Sequence, residues 1–124
     1  MIFIDTHVLL WLHGGKDKSL TNRAKDIINK NSLFISTLVE LEIQILFEKK
    51  RIIPPAKKVI EHMANTIGLR IADSKYSDVT DAALALKWTR DPFDRLIVAE
   101  AMVHEAPLVT ADRLIIENYK RAVW

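Results

Sequence analysis

The chain has 124 residues, 49% hydrophobic and 27% charged, which is ordinary globular usage and enough for one domain over 1–124 with its own core. It has no cysteine, so disulfides, zinc–thiolate centres and thiol catalysis are excluded. Its net charge of +2 only weakly favours nucleic acid, and no apolar run approaches bilayer length.

Ile2–Ile4 reads as a short buried strand that starts the fold directly, with no secretory leader before it. Asp5-Thr6-His7 then turns into an apolar helix, Val8 to Leu12, stopped at Gly14-Gly15. Ser19 or Thr21 caps a second helix to about Asn29. Leu33–Ile35 is the next strand, and Ser36 or Thr37 caps a helix over Leu38–Lys50. After the connector Ile52–Pro55, a helix spans Ala56–Ile67 and closes on Gly68. Leu69–Ile71 is a third strand, and Ser77–Trp88 reads as helix. Asp91-Pro92 opens a helix to about Glu105. Leu108–Thr110 is a fourth strand, a short helix follows near Leu114, and Ala122–Trp124 forms a last strand.

Short apolar strands alternating with helices predict an α/β fold around a parallel, largely buried sheet of four to five strands. Ligands of such sheets gather beyond the carboxyl ends of the strands. Asp5 and Asp112 each lie just past a strand end.

Of the 16 acidic residues, Asp5, Glu42, Asp94 and Asp112 stand apart. At 100° per residue, Leu38, Val39, Leu41, Ile43, Ile45 and Leu46 cover one broad apolar arc, and Glu42 falls near its centre, while Glu40 lies on the solvated side. A buried carboxylate needs a partner: an arginine, a lysine or a metal ion. Asp91-Pro92-Phe93-Asp94 places an acid at N-cap, proline at N1 and an acid at N3, which is good capping chemistry in itself, and a capping Asp91 also orients Asp94. Brought together, the four acids form a pocket that repels itself until a hard divalent cation fills it. His7, one turn from Asp5, reads as a first-turn residue with a satisfied ring, with approach to the pocket as the alternative; His13, His62 and His104 have no ligand spacing, and three glycines make no phosphate loop. Lys49–Arg51 with Lys57-Lys58 forms a basic zone, either solvated surface or a track for phosphates or an acidic peptide. The three tryptophans read as core or interface.

Four stretches resemble PIN-domain proteins, particularly VapC-type toxins of VapBC toxin–antitoxin pairs: Ile4–Trp11, Ile35–Ile43 with its acid at Glu42, Asp91-Pro92-Phe93-Asp94-Arg95 with the following Leu96–Ala99, and Pro107–Asp112. The third resembles the Asp-Pro-Phe-Asp-Arg signature of one VapC-like subgroup. The resemblance spans the chain in order. It departs at Leu41, where the subgroup often has tryptophan, and at Leu86–Arg90, where proline and histidine are frequent. It implies a three-layer PIN-like sandwich and a cytoplasmic, Mg²⁺- or Mn²⁺-dependent endoribonuclease using one or two ions. It also implies a homodimer and a cognate antitoxin that blocks the site. In that reading Asp5, Glu42, Asp94 and Asp112 are catalytic metal ligands, and water activated by the metal cuts RNA. Asp91 orients and caps, Thr6 or Thr110 holds water or phosphate, and Arg95 tethers carboxylates or meets a phosphate. Two rival readings stay open: a catalytically silent binding module of this fold, and a metal-dependent phosphatase or phosphotransfer domain. Against the last, Asp5-Thr6-His7 lacks the second acid of an Asp-x-Asp motif.

Overall fold

In the computed structural model, which describes residues 1–124, the apolar run Ile2–Ile4 becomes β1, with every side chain buried. Three apolar residues in a row, with no alternation, fit a strand covered on both faces. Asp5 caps α1 (Thr6–His13) by accepting from the Val8 amide at 2.9 Å. A 3₁₀ turn at Asp17–Ser19, absent from the sequence reading, leads to α2 (Asn22–Lys30), capped by Thr21 rather than Ser19. β2 (Leu33–Ile35), α3 (Thr37–Glu48) and α4 (Ala56–Ile67) follow, then β3 (Arg70–Ile71), α5 (Tyr76–Leu84), α6 (Pro92–Val103), β4 (Leu108–Val109), α7 (Arg113–Asn118) and β5 (Ala122–Val123).

The five strands form one parallel sheet in the order β3-β2-β1-β4-β5. Phe3 in the central strand lies opposite Phe34 on one side and Leu108 on the other. From β1 the chain steps outward through β2 to β3, then returns to the far side for β4 and β5. Right-handed crossovers running in opposite directions put helices on both faces, giving the three layers. The core is one continuous cluster of 29 buried hydrophobic residues, with Phe3, Ile4, Leu9, Ile35, Ile43 and Leu108 at its centre.

Boundaries differ from expectation where the chain must turn. α5 stops at Leu84 rather than at Trp88. Beyond it the amides of Leu86 and Lys87 bond back only three and two residues, and the Thr89 hydroxyl accepts from the Asp91 amide at 3.1 Å. Residues 85–90 therefore set up the cap of α6 instead of prolonging α5. α3 and α6 end before Lys50 and Glu105, both of which take left-handed backbone (φ 59° and 49°). Gly68 closes α4 in the same region, where glycine pays no Cβ penalty. Pro55 offers α4 no side-chain cap, and Gln44 on α3 supplies it, accepting from the Ala56 amide at 3.2 Å. On α3, Val39 and Ile43 are the fully buried pair, and Leu41, expected on the buried arc, is 50% exposed. Glu40, expected in solvent, is ion-paired with Lys57.

Phe3 is completely buried and packs its ring near Phe34 and His104. Phe3→Ala is expected to lower unfolding free energy by roughly 3–5 kcal/mol, the cost of emptying a sealed aromatic site. Urea denaturation checks this; a loss below 1 kcal/mol would mean that Phe3 is not the keystone of the sheet.

Candidate active site

Chain departures from β1 and β4 lead in opposite directions, so a crevice opens between the carboxyl ends of these neighbouring strands. The Asp5 amide donates to the Val109 carbonyl at 3.1 Å, which locks the end of β1 to the end of β4. Asp5 therefore faces the turn carrying Asp112. Asp112 caps α7, accepting from the Leu114 and Ile115 amides at 2.9 and 3.1 Å. Asp91 caps α6 through the Phe93 and Asp94 amides, and so fixes the first turn in which Asp94 stands.

A cavity of about 250 Å³ occupies the crevice. Asp5, Glu42, Asp94 and Asp112 all line it, together with Thr6, His7 and Trp11. Four acids separated by up to 107 positions in the sequence thus share one hollow. Glu42 reaches it from the flank of α3, 80° round the helix from Val39–Ile43's buried side rather than from its centre.

No lysine or arginine lines the cavity beside this group; His7, next to Asp5, is the basic side chain there. The ion pairs of the molecule are Lys30–Asp26 and Lys57–Glu40, both away from the cavity. The consequence is electrostatic. Asp94, half-buried, has its carboxyl pushed up to about 6, first by burial and then by the charges of Asp91, Asp112, Glu42 and Asp5. Burial likewise raises Asp5, opposed by hydrogen bonds from the Thr110 hydroxyl and the Val8 amide and by the nearby His7.

The supporting hydroxyls hold carboxylates. Thr6, buried in the first turn of α1, donates to Glu42 Oε1. Thr110 is fully buried, bonds the Asp5 side chain and accepts from the Asp112 amide at 3.0 Å. Both hydroxyls thus have carboxylate or backbone partners beside the cavity, where the sequence offered them water or phosphate. Arg95 also differs from expectation: its Nε donates to the Thr89 carbonyl at 2.7 Å, tethering the 85–90 loop rather than a carboxylate. Asp91 is exposed and does not line the cavity. His7 lines it, the lesser of the two roles its place after Asp5 offers, and so does Trp11, read in the sequence as core or interface; their four-residue spacing on one helix is the available signal.

The donor set is all carboxylate oxygen and uncompensated, which suits a hard cation and no other common metal. As the side chains stand, no three acidic or histidine groups converge closely enough to hold an ion. Asp5 and Asp112 each turn an oxygen to a helix cap, and Glu42 turns one to Thr6.

A carboxyl raised in the folded state destabilises the fold as pH climbs from its ordinary value of 3.8 to about 6, and the loss is complete above that. In EDTA, Asp94→Asn is therefore expected to melt roughly 4 °C above the parent at pH 7.5, a figure discounted for the solvent that reaches a half-buried group. At pH 4 the two should melt together. An equal difference at both pH values, read by calorimetry, would remove charge crowding as the cause.

The chain matches the PIN domain family over residues 2–121. No curated protein matches it by sequence. Among solved structures, it is similar to a chain of a toxin–antitoxin complex from Klebsiella pneumoniae, at 19% identity and a TM-score of 0.67, with 100% of this chain and 97% of that one covered. It is also similar to a chain of VapBC2 from Rickettsia felis bound to a promoter DNA fragment, at 18% identity and a TM-score of 0.71, with 100% and 98% covered. These likenesses show a shared fold, and the family match spans nearly the whole sequence: the chain belongs to the PIN domain family.

Proposed function

We propose that the protein is a metal-dependent endoribonuclease and the toxin of a type II toxin–antitoxin pair, of VapC type. The observation that carries the chemistry is the meeting of Asp5, Glu42, Asp94 and Asp112 in one cavity with no lysine or arginine partner. A site with four carboxylates and no lysine or arginine works against every anionic substrate unless a cation mediates. Membership of the PIN family and the likeness to chains from toxin–antitoxin complexes support the biological role. A cognate antitoxin and a second copy of the chain are the partners this reading entails. This reading puts its action on RNA in the cytoplasm; no helix is long and apolar enough to cross a membrane.

Asp5, Glu42, Asp94 and Asp112 would hold one or two Mg²⁺ or Mn²⁺ ions. Such ions, when bound, activate the attacking water, neutralise the phosphoryl oxygens and support the leaving group. The chain's own part is positioning. Thr6 fixes the rotamer of Glu42, and Thr110 holds Asp5 while its oxygen also anchors the turn of Asp112. Asp91 fixes Asp94 by capping α6, and Arg95 steadies the loop that delivers Asp91. Asp94, pushed up to about 6 by burial and by its acidic neighbours, holds a proton more readily than an ordinary aspartate. Attack by water, not by the ribose 2′-hydroxyl, leaves 5′-phosphate and 3′-hydroxyl ends.

One observation favours the silent binding module: no three ligands converge as the side chains stand. Cation binding must therefore draw in carboxylates by rotation about their side-chain bonds. Millimolar Mn²⁺ is expected to raise the melting temperature of the parent by several degrees and that of Asp94→Asn far less. No rise at 5 mM in the parent would favour the silent module.

Cleavage of total RNA in Mn²⁺ should stop with chelator and fall at least a hundredfold in Asp5→Ala and Asp94→Asn. End mapping should find 5′-phosphates at the cuts. Undiminished cleavage by both variants would refute the assignment. Thr6→Val should lower activity 10–100-fold through Glu42, with Thr6→Ser restoring most of it. Equal activities of the two Thr6 variants would show that the hydroxyl does not position the acid.

A further inference from the structure

Beside the acids, the cavity has an aromatic wall. His7 and Trp11 both line it, one helical turn apart on α1, the helix that Asp5 caps. Their ring centroids lie 6.2 Å apart at 49°. Trp11 in turn rests against Trp124, which follows β5, at 5.7 Å and 44°. Rings tilted this far are not stacked face to face, so neither ring pair hides both faces of its members. His7 is exposed, and the two indoles are only partly covered. The three rings thus form a row beside the acid cavity, with His7 at its solvent-exposed end.

Buried apolar packing does not account for the outer part of this row. The core nearby is closed by Val8 and Leu9, both fully buried on the same helix. His7 contributes nothing to that core and lies close enough to Asp5 to favour its ionised form. A flat, partly wet aromatic surface adjoining a place for a phosphate suits one chemical class in particular: an unpaired nucleobase, which every protein π-face can stack upon. A base in a duplex is already stacked on its neighbours and has no face to offer.

We propose that His7, Trp11 and Trp124 form a stacking site for a single unpaired nucleobase next to the phosphate at the acid pocket. His7 supplies the outer ring, Trp11 the floor beside the acids, and Trp124 the support that holds Trp11 in place. The site makes the protein selective for single-stranded segments, and it tolerates base identity because stacking reads no hydrogen-bond pattern. The position of the phosphate rests on the nuclease reading above; the aromatic row does not.

Two measurements test it. In the first, the parent protein in Mn²⁺ cuts a short single-stranded RNA and a series in which each nucleotide flanking the cut is made abasic. One abasic position should lower kcat/KM about tenfold. His7→Ala, a change at an exposed side chain, should lower it several-fold on the intact strand and make the abasic strand no worse. Trp11→Phe should keep most of the activity, and Trp11→Leu should lose it to the same extent as the abasic strand. In the second, tryptophan emission of Asp94→Asn is followed as the intact or the abasic strand is added. The intact strand should quench it, and the abasic strand should not.

Normal cleavage with no effect of any abasic position or of His7→Ala would overturn the stacking site and leave the nuclease standing. Base-dependent quenching without cleavage by the parent would support the stacking site and overturn the nuclease. Quenching by an apolar helical peptide but not by RNA would overturn it in favour of a protein-docking surface.

Discussion

The structure depends on an electrostatic conflict that the fold contains without cancelling. Four carboxylates share one cavity with no lysine or arginine partner. Like charges gathered in one hollow repel, by an amount on the order of a few kcal/mol per close pair at an effective dielectric near 20. Against this the fold sets helix starts. Asp5 caps α1, Asp112 caps α7 and Asp94 stands in the first turn of α6, so free amides face three of the four acids. Each such placement is worth about 0.3–1 kcal/mol. Glu42 lies mid-helix, gains nothing from a helix start and is held by Thr6. The offsets leave the conflict standing: burial raises both the Asp94 and Asp5 carboxyls, and at Asp94 the neighbouring acids push the same way. A stable protein that keeps this arrangement has its excess stability elsewhere, in the 29-residue core.

That core is also what makes the site rigid. The strands are only two or three residues long, yet β1, β2 and β4 are almost wholly buried. Hydrogen bonds from Phe3 to Pro107, from Asp5 to Val109 and from Thr110 to Val123 continue the sheet to its carboxyl edge. The acids follow immediately, before any loop has length to flex. Asp94 is fixed differently, through a chain of contacts: Arg95 holds the Thr89 carbonyl, the Thr89 hydroxyl holds the Asp91 amide, and Asp91 caps the turn carrying Asp94. Pro92 at the first helical position presets the backbone there.

Local chemistry made some of this legible in the sequence. β1, β2 and α4 fall where short apolar runs and the Gly68 stop put them, because each boundary is set by residues inside it or next to it. The end of α5 was not legible: Ala82–Leu86 continues a good helical pattern, and what ends the helix is the need to deliver Asp91 to α6. The buried arc of α3 was misjudged at Leu41 because periodicity gives a face but not which neighbour covers it. The four acids could be named from their places after strands and in the signature, but their meeting depends on β4 lying beside β1, a property of sheet order. The partners of Thr6 and Trp124 were beyond reach for the same reason: one bonds Glu42, 36 positions away, and the other touches Trp11 across the whole chain.

The charge distribution follows from gathering the acids. Set the four pocket acids aside, and the remaining chain carries 18 basic side chains against 12 acidic ones, although the total charge is only +2. The outside therefore attracts a polyanion while the cavity repels it. On the proposed nuclease reading, a nucleic acid strand would be drawn in at long range by an ionic-strength-dependent field and stopped at short range by the carboxylates. Recognition and reaction would then respond to different variables. Salt weakens the first by screening the basic exterior. The second turns on whether positive charge fills a cavity of about 250 Å³, which screening at a Debye length near 10 Å barely touches. The separation needs no moving part: it results from concentrating a quarter of the acidic residues at one strand edge and spreading the basic ones elsewhere.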